Sequence, residues 1–315
     1  MASQKGPRKA RDHQRGPDNI RWDEPGRTAR ALTGPPPPER DIIVPHRAAV
    51  SLDAAEAPSD GFVTQTEGMR RSQGRVSLQQ LDAFYDRSLI TEVEGIIKIG
   101  KEASAYRCRA SQDLGGGLVV AKVYRARQYR FKNDAAYMEG RERMLRGQVK
   151  RAVTNKSSFG REVGTALWVG SEWMTLQTLY EAGADVPKPL AVEADALLMQ
   201  YFGDEDNAAP QLNRVRLQPD EAQRAFDSVM RNVELMLSLN LVHGDLSSHN
   251  ILWHEGRAVI IDFPQAVDPR FNSNAQEFLR RDLANVCEYF ARQGIEADPV
   301  GIAEDLWRRF TLGKL

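Results

Sequence analysis

Between Leu241 and Asp268 the chain reads LVHGDLSSHNILWHEGRAVIIDFPQAVD, and few folds can accommodate that order of residues. Two carboxylates, Asp245 and Asp262, bracket Asn250. Leu241 and Val242 lead in, and Ile251, Leu252 and Trp253 lead out, like the ends of short buried strands. His254-Glu255-Gly256-Arg257 is a turn sequence, and Val259, Ile260 and Ile261 are apolar and β-branched, as a second strand requires. The expected structure is a loop, a hairpin, and a second loop opening at Asp262. Asp245 and Asn250 then share one loop while the hairpin returns Asp262 to face them. Such an arrangement suits phosphoryl transfer. One carboxylate orients an attacking hydroxyl, and the amide and second carboxylate hold the metal ion that bridges the phosphates. A plain polar turn beside a core hairpin would need none of these three side chains at these spacings.

The rest of the composition bounds this reading without sharpening it. The 315 residues suffice for one large or two-lobed domain with tails. Lys+Arg and Asp+Glu both number 43, so net charge points to neither a nucleic-acid nor an acidic partner. Two cysteines, Cys108 and Cys287, cannot build a disulfide framework or a four-ligand zinc site. No apolar run approaches the roughly 18 residues of a membrane span, and the first residues lack the apolar core of a secretory signal. A soluble protein of the reducing cytoplasm, away from membranes, is the expectation.

Residues 1–75 differ in character from the remainder of the chain. They hold the Pro35–Pro38 run and scattered arginines, with ten Lys and Arg against six acids in the first 50 residues. Such a segment buries too little apolar surface to offset its ordering entropy, so a disordered Arg/Pro-rich tail is expected. Ser77 and Gln80 form a possible capping box for a helix through Leu78, Leu81, Phe84 and Tyr85. Strands are expected over 92–99, 103–109 and 118–124. The turn Gly100-Lys101-Glu102-Ala103-Ser104 could present backbone N–H groups to phosphates, although one glycine serves a hairpin turn equally well. Lys122 says more, because a lysine inside the apolar strand LVVAKVY needs a partner or a ligand unless the strand is an edge. A strand-borne lysine after a turn is the kinase arrangement for reaching phosphates.

Residues 125–161 carry eleven Lys and Arg against three acids, with Tyr129, Phe131 and Tyr137 interleaved. A solvated basic face accounts for them, and RNA backbone or a phosphorylated partner is the sharper alternative. A helix over about 160–182 places Glu172 near Trp168, Leu176 and Leu179, where it is the natural partner of Lys122. A hairpin over 191–201 comes next. It puts Met199, Gln200 and Tyr201 where a hinge would join two lobes, ahead of the acidic loop Asp204-Glu205-Asp206. Helices are expected over 219–240, 275–293 and 299–311. The order is α+β: a two-lobed protein-kinase-like fold, with a small antiparallel sheet lobe and a reduced helical lobe. The domain is set at 76–315, its lobes at about 76–199 and 203–315.

These residues resemble the RIO family of atypical serine/threonine protein kinases. The similarity runs in order along roughly 92–293. GKEASAY (100–106) resembles the family's phosphate loop, VAKVY (120–124) its strand lysine, and FKND (131–134) with Tyr137 its flexible-loop region. SEWMTL (171–176) resembles the glutamate helix, HGDLSSHN (243–250) the catalytic loop, IIDFPQ (260–265) the metal loop, and FLRRDLANV (278–286) the helix after it. DFPQ resembles one subfamily and the catalytic-loop DLS another, and residues 1–90 show no winged helix, so a bacterial-type member is expected.

The resemblance implies ATP and Mg²⁺, with Mn²⁺ as a possible substitute, and transfer to protein serine or threonine, including autophosphorylation. Gly100, Lys101, Glu102, Ser104, Lys122, Met199 and Tyr201 would hold the nucleotide, and Asn250 and Asp262 the metal. Asp245, Lys122 and Glu172 would form the catalytic set. Gly244 is expected to let the loop approach the nucleotide, and Leu246 to anchor it. Three other readings share the site: a small-molecule phosphotransferase of the aminoglycoside or choline kinase kind, an ATPase switch acting on ribosomal particles, and a pseudokinase scaffold. The first lacks its larger helical insertion here. The last is disfavoured by the presence of Lys122, Glu172, Asp245, Asn250 and Asp262 together.

Overall fold

The computed structural model describes residues 79–124, 136, 137, 139, 158–193 and 195–315. The expected tail, Ser77 and Leu78, and FKND lie outside these residues. A 3₁₀ turn, Gln79–Leu81, runs into the short helix α1, Asp82–Asp86, so the expected N-terminal helix is brief. Five strands then form one antiparallel sheet: β1 Ile90–Ile99, β2 Ala103–Ala110, β3 Leu118–Tyr124, β4 Pro189–Val192 and β5 Ala196–Gln200. Their spatial order is β1-β2-β3-β5-β4, which makes β3 the central strand and rules out the edge-lysine alternative for Lys122. Three register shifts interrupt the pairing of β1 with β2.

Alternation along β3 decides what each face does. Val119, Ala121 and Val123 join Leu81, Phe84, Cys108 and Leu198 in a core beneath α1. Val120 packs on the other face against the larger core, and Lys122 shares that face. Leu197 and Met199 of β5 pair with Lys122 and Val120 and sit in the same larger core.

Helix α2, Ser158–Glu181, lies between β3 and β4 in sequence and buries Trp168, Leu176 and Leu179 in the larger core. The helical lobe consists of α3 (Pro219–Ser238), α4 (Ala275–Ala291) and α5 (Pro299–Thr311). Helix α3 opens on Pro219 with a capping box in which Glu221 accepts from the Gln218 N–H at 2.9 Å, satisfying one of the first-turn donors. Helix α5 opens on Pro299 after Asp298, whose carboxylate accepts from Val300 N–H at 3.1 Å. Between α3 and α4 lies a second sheet of two strands, β6 Ile251–His254 and β7 Arg257–Ile260. Its turn holds Glu255 at φ 49° and Gly256 at φ 75°, the paired positive values of a type I′ hairpin. The strand expected at Leu241-Val242 reduces to a bridge between Val242 and Val267. The acidic loop folds back on β2, where Arg109 meets Glu205 at 3.0 Å and Arg107 donates to the Glu205 carbonyl at 2.8 Å.

Candidate active site

Lys122 is the point at which the sheet, α2 and the second loop meet. Its ammonium lies 2.8 and 2.9 Å from the two oxygens of Glu172 and 2.6 Å from Asp262 Oδ1. Glu172 Oε1 also accepts from Phe263 N–H at 3.1 Å, so α2 is tied to the residue after Asp262. Glu172 is fully buried, and burial raises its carboxyl above the usual range against the pull of Lys122. Burial alone would lower Lys122, but Asp262 and Glu172 outweigh it and hold the ammonium charged. Burial likewise works to raise Asp262, and Lys122 overcomes it, so its carboxyl falls below the usual range.

Asp262 has φ 74°, a left-handed conformation that aspartate tolerates better than most residues. Its side chain keeps 38 % of its exposure despite the bond to Lys122, which leaves room for a further ligand.

Asp245 approaches from the loop between α3 and β6, and that loop is held by its backbone. Gly244 N–H and Leu246 N–H donate to the two oxygens of Asp282 on α4, at 2.8 and 3.0 Å. Leu246 is buried in the larger core, as an anchor should be. Burial pushes the Asp282 carboxyl up to about 7, against the pull of those two N–H donors. His243 is buried against Phe263, ring centroids 4.8 Å apart. Desolvation drops its imidazole to about 4, so it is neutral near pH 7. Nδ1 accepts from Asp245 N–H at 3.3 Å and Nε2 faces the Ile261 carbonyl at 3.2 Å, which assigns the proton to Nε2. The Asp245 side chain itself is exposed. Partial desolvation and the negative charge of Asp262 raise its carboxyl above the usual range. Asn250 is buried and donates from its amide to the Asp245 carbonyl at 2.9 Å and to its carboxylate at 3.3 Å. The amide oxygen of Asn250 has no hydrogen-bond partner among the described residues. Ile261 N–H donates to the Asn250 carbonyl at 2.9 Å, joining the two loops directly.

Residues 105–301 match the RIO domain. The chain belongs to the RIO family. It is 36 % identical over 209 residues to the RIO-type serine/threonine-protein kinase Rio1 of Haloferax volcanii, spanning 65 % of each, so just under two thirds of that relative is covered. The Rio1 protein of Thermoplasma acidophilum is 33 % identical over 190 residues, which are 60 % of this chain and 94 % of that one. The crystal structure of the Rio2 kinase–ADP/Mg²⁺–phosphoaspartate complex from Chaetomium thermophilum superposes with a TM-score of 0.56 at 23 % identity. It covers 72 % of this chain and 64 % of that one, and shows the two-lobed kinase-like fold.

Within this RIO domain the expected residues divide into those the fold brings together and those it does not. Lys122, Glu172 and Asp262 form one bonded group, and Asp245 and Asn250 another. Met199 is buried on the face of Lys122. Tyr201 instead turns toward the acidic loop, where its hydroxyl donates to the Asp204 carbonyl at 3.1 Å. At the phosphate-loop turn, Gly100 N–H is used within the turn on the Ala103 carbonyl, at 2.9 Å, so it is not presented to a ligand. Lys101 is exposed and Glu102 partly so. Ser104 corrects the sequence reading. It is buried and pairs with Val123, so alternation sets it on the face away from Lys122, and Ala105 takes its place on the Lys122 face.

Gly244 needs a second correction. A Cβ there would stand 2.6 Å from the Gln265 carbonyl, and φ is 79°, so the close approach that demands glycine is between the two loops rather than with a nucleotide. Sequence reasoning missed Asp282, although it lies inside the FLRRDLANV stretch. An aspartate on the apolar side of an otherwise amphipathic helix was the available signal.

Proposed function

We propose that the chain transfers the γ-phosphoryl group of ATP to serine or threonine of proteins, itself included. The observation that carries this reading is the bonded group Lys122–Glu172–Asp262 placed beside Asp245 and Asn250. Lys122, held charged, grips the phosphates while Glu172 orients it. Asn250 and Asp262 would hold Mg²⁺ or Mn²⁺, which would compensate the phosphate charge. A bound ion would draw the rest of its oxygen shell from phosphate and water. The partly exposed carboxylate of Asp262 and the amide oxygen of Asn250 fit that task. Asp245 accepts the hydrogen bond of the attacking hydroxyl, and its raised carboxyl suits a proton acceptor better than an ordinary aspartate. Val120, Leu197 and Met199 supply an apolar floor on the lysine face for the base. No helix among the described residues is long and apolar enough to cross a membrane; action in the cytoplasm is part of the proposal. A contact with a ribosomal particle or RNA through the basic stretch 125–161 stands as a secondary proposal.

The test incubates the purified chain with γ-labelled ATP and magnesium, alone and with ribosomal fractions. Acid-stable label on protein serine or threonine is expected. Free phosphate with no labelled protein would replace the kinase with an ATPase switch. Hydroxylamine-labile label would put the phosphate on a carboxylate.

A further inference from the structure

Tyr137 touches a loop more than a hundred residues away in sequence. Its hydroxyl donates to the Gly244 carbonyl at 3.3 Å and accepts from Arg281 at 2.9 Å. Arg281 donates to the same carbonyl. The tyrosine ring stacks on Phe278, centroids 4.7 Å apart and planes within 16°. Its neighbours are fastened as well. Asn272 donates to the carbonyls of Ala136 and Glu139 at 2.6 and 3.2 Å, and the Glu139 carboxylate accepts from Ser273 and Asn274 at 2.8 and 3.0 Å.

Ordinary protein kinases place an arginine between the histidine and the catalytic aspartate, in the order H-R-D. Here that position is Gly244, where even a Cβ would strike the Gln265 carbonyl. An arginine reaches the loop from α4 instead, and a tyrosine joins it. The peptide group that carries the Gly244 carbonyl also carries Asp245 N–H, and it is planar, so fixing one end orients the other. Asp282 fixes the amides on either side, and His243 accepts from Asp245 N–H. With the carbonyl gripped too, little freedom remains to Asp245 except its own side-chain torsions.

We propose that Tyr137 is a positioning residue for Asp245, acting with Arg281 through the Gly244 carbonyl. This rests on the kinase reading above. Transfer needs the acceptor hydroxyl aligned with the γ-phosphate, and a displacement of about 1 Å can cost on the order of 10²-fold in rate. Nucleotide binding draws on the other residues of the site, so it should not feel the change.

The experiment uses the full chain and measures single-turnover phosphoryl transfer, ATP affinity by calorimetry, and melting temperature. Tyr137→Phe keeps the ring stack and removes the hydroxyl. It should slow transfer roughly tenfold while ATP affinity and melting temperature hold. The double variant with Arg281→Met should lose less than the product of the two single losses, because both groups serve one carbonyl. Tyr137→Leu, lacking the ring as well, should lower both rate and melting temperature. Normal transfer by Tyr137→Phe would overturn the proposal and leave Tyr137 a packing residue. Parallel loss of affinity and rate would overturn it too, since the whole site would then be disturbed. No transfer by the unaltered chain would end the kinase reading first, and this proposal with it.

Discussion

Lys122 and Asp245 belong to the two bonded groups of the candidate site, and the fold secures them by different means. Lys122 is held through its side chain: Glu172 and Asp262 bind its ammonium, and the strand beneath it is paired on both sides. Asp245 is held through its backbone, by Asp282, His243 and the grip on the Gly244 carbonyl, while its carboxylate stays exposed. A residue gripped by its functional atoms cannot be altered without disturbing its partners. A residue gripped by its main chain can lose its functional atoms and leave the framework standing. The contrast gives the two sides different signatures under mutation.

The largest effect should come from the exposed side. Asp245→Asn keeps the volume and the backbone bonds and removes the proton acceptor. Phosphoryl transfer should fall by roughly 10²-fold or more, with ATP affinity and melting temperature nearly unchanged. Calorimetry set beside labelled-phosphate transfer measures both. Equal losses of binding and transfer would erase the distinction between the two sides.

Lys122→Met should behave otherwise. It removes the charge from a site where Glu172 is fully buried, leaving that carboxylate without its cation. Breaking a buried pair by one partner costs about 3–5 kcal/mol in the general case, so unfolding by denaturant should show a drop along with weaker ATP binding. A variant that binds ATP normally, at full stability, would remove Lys122 from the site.

The smallest effect concerns Asp282 and sharpens the comparison through pH. Its carboxyl is raised in the folded chain to about 7 from 3.8, so the folded state holds more protons than the unfolded one across that interval. Its contribution is present in full below about pH 4 and is lost as pH rises through 7. His243, lowered to about 4, works in the opposite sense: its contribution is present above about 6.5 and is lost as pH falls through 4. Between about pH 7 and 8 the histidine is mostly neutral in both states, so of these two groups the aspartate dominates. Denaturant midpoints for the unaltered chain should fall across that window, and those of Asp282→Asn should stay flatter. Parallel slopes in the two proteins would show that Asp282 is ionised throughout.

Much of this was legible in the chain because it is written locally. The alternation of LVVAKVY marks β3 from Leu118 to Tyr124, and Pro219 and Pro299 mark helix starts where α3 and α5 begin. The apolar runs flanking His254–Arg257 announce the hairpin that returns Asp262 toward Asn250. What stayed hidden depends on register or on distant approach. Ser104 and Lys122 look like members of one phosphate site until the pairing of β2 with β3 puts them on opposite faces. Gly244 announces a close approach but not with what, and only the packed loops name Gln265. Asp282, Arg281 and Tyr137 serve Asp245 from 36 to more than a hundred residues away, through backbone atoms that carry no residue-type signal. The positive φ of Asp262 is likewise not announced by the sequence around it.

The ends of the five-stranded sheet bear on how this protein behaves in a crowded solution. A strand edge with free N–H and C=O groups is a template for another molecule, and β1 displays Ile96, Ile97 and Ile99 at 52, 36 and 65 % exposure. Yet the pairing of β1 shifts register three times along ten residues, so its outer rim is not a straight row of donors and acceptors. At the opposite end β4 is four residues long and begins with a proline, which offers no N–H. Among the described residues neither rim offers a long, regular row of donors and acceptors to a strand from a second copy.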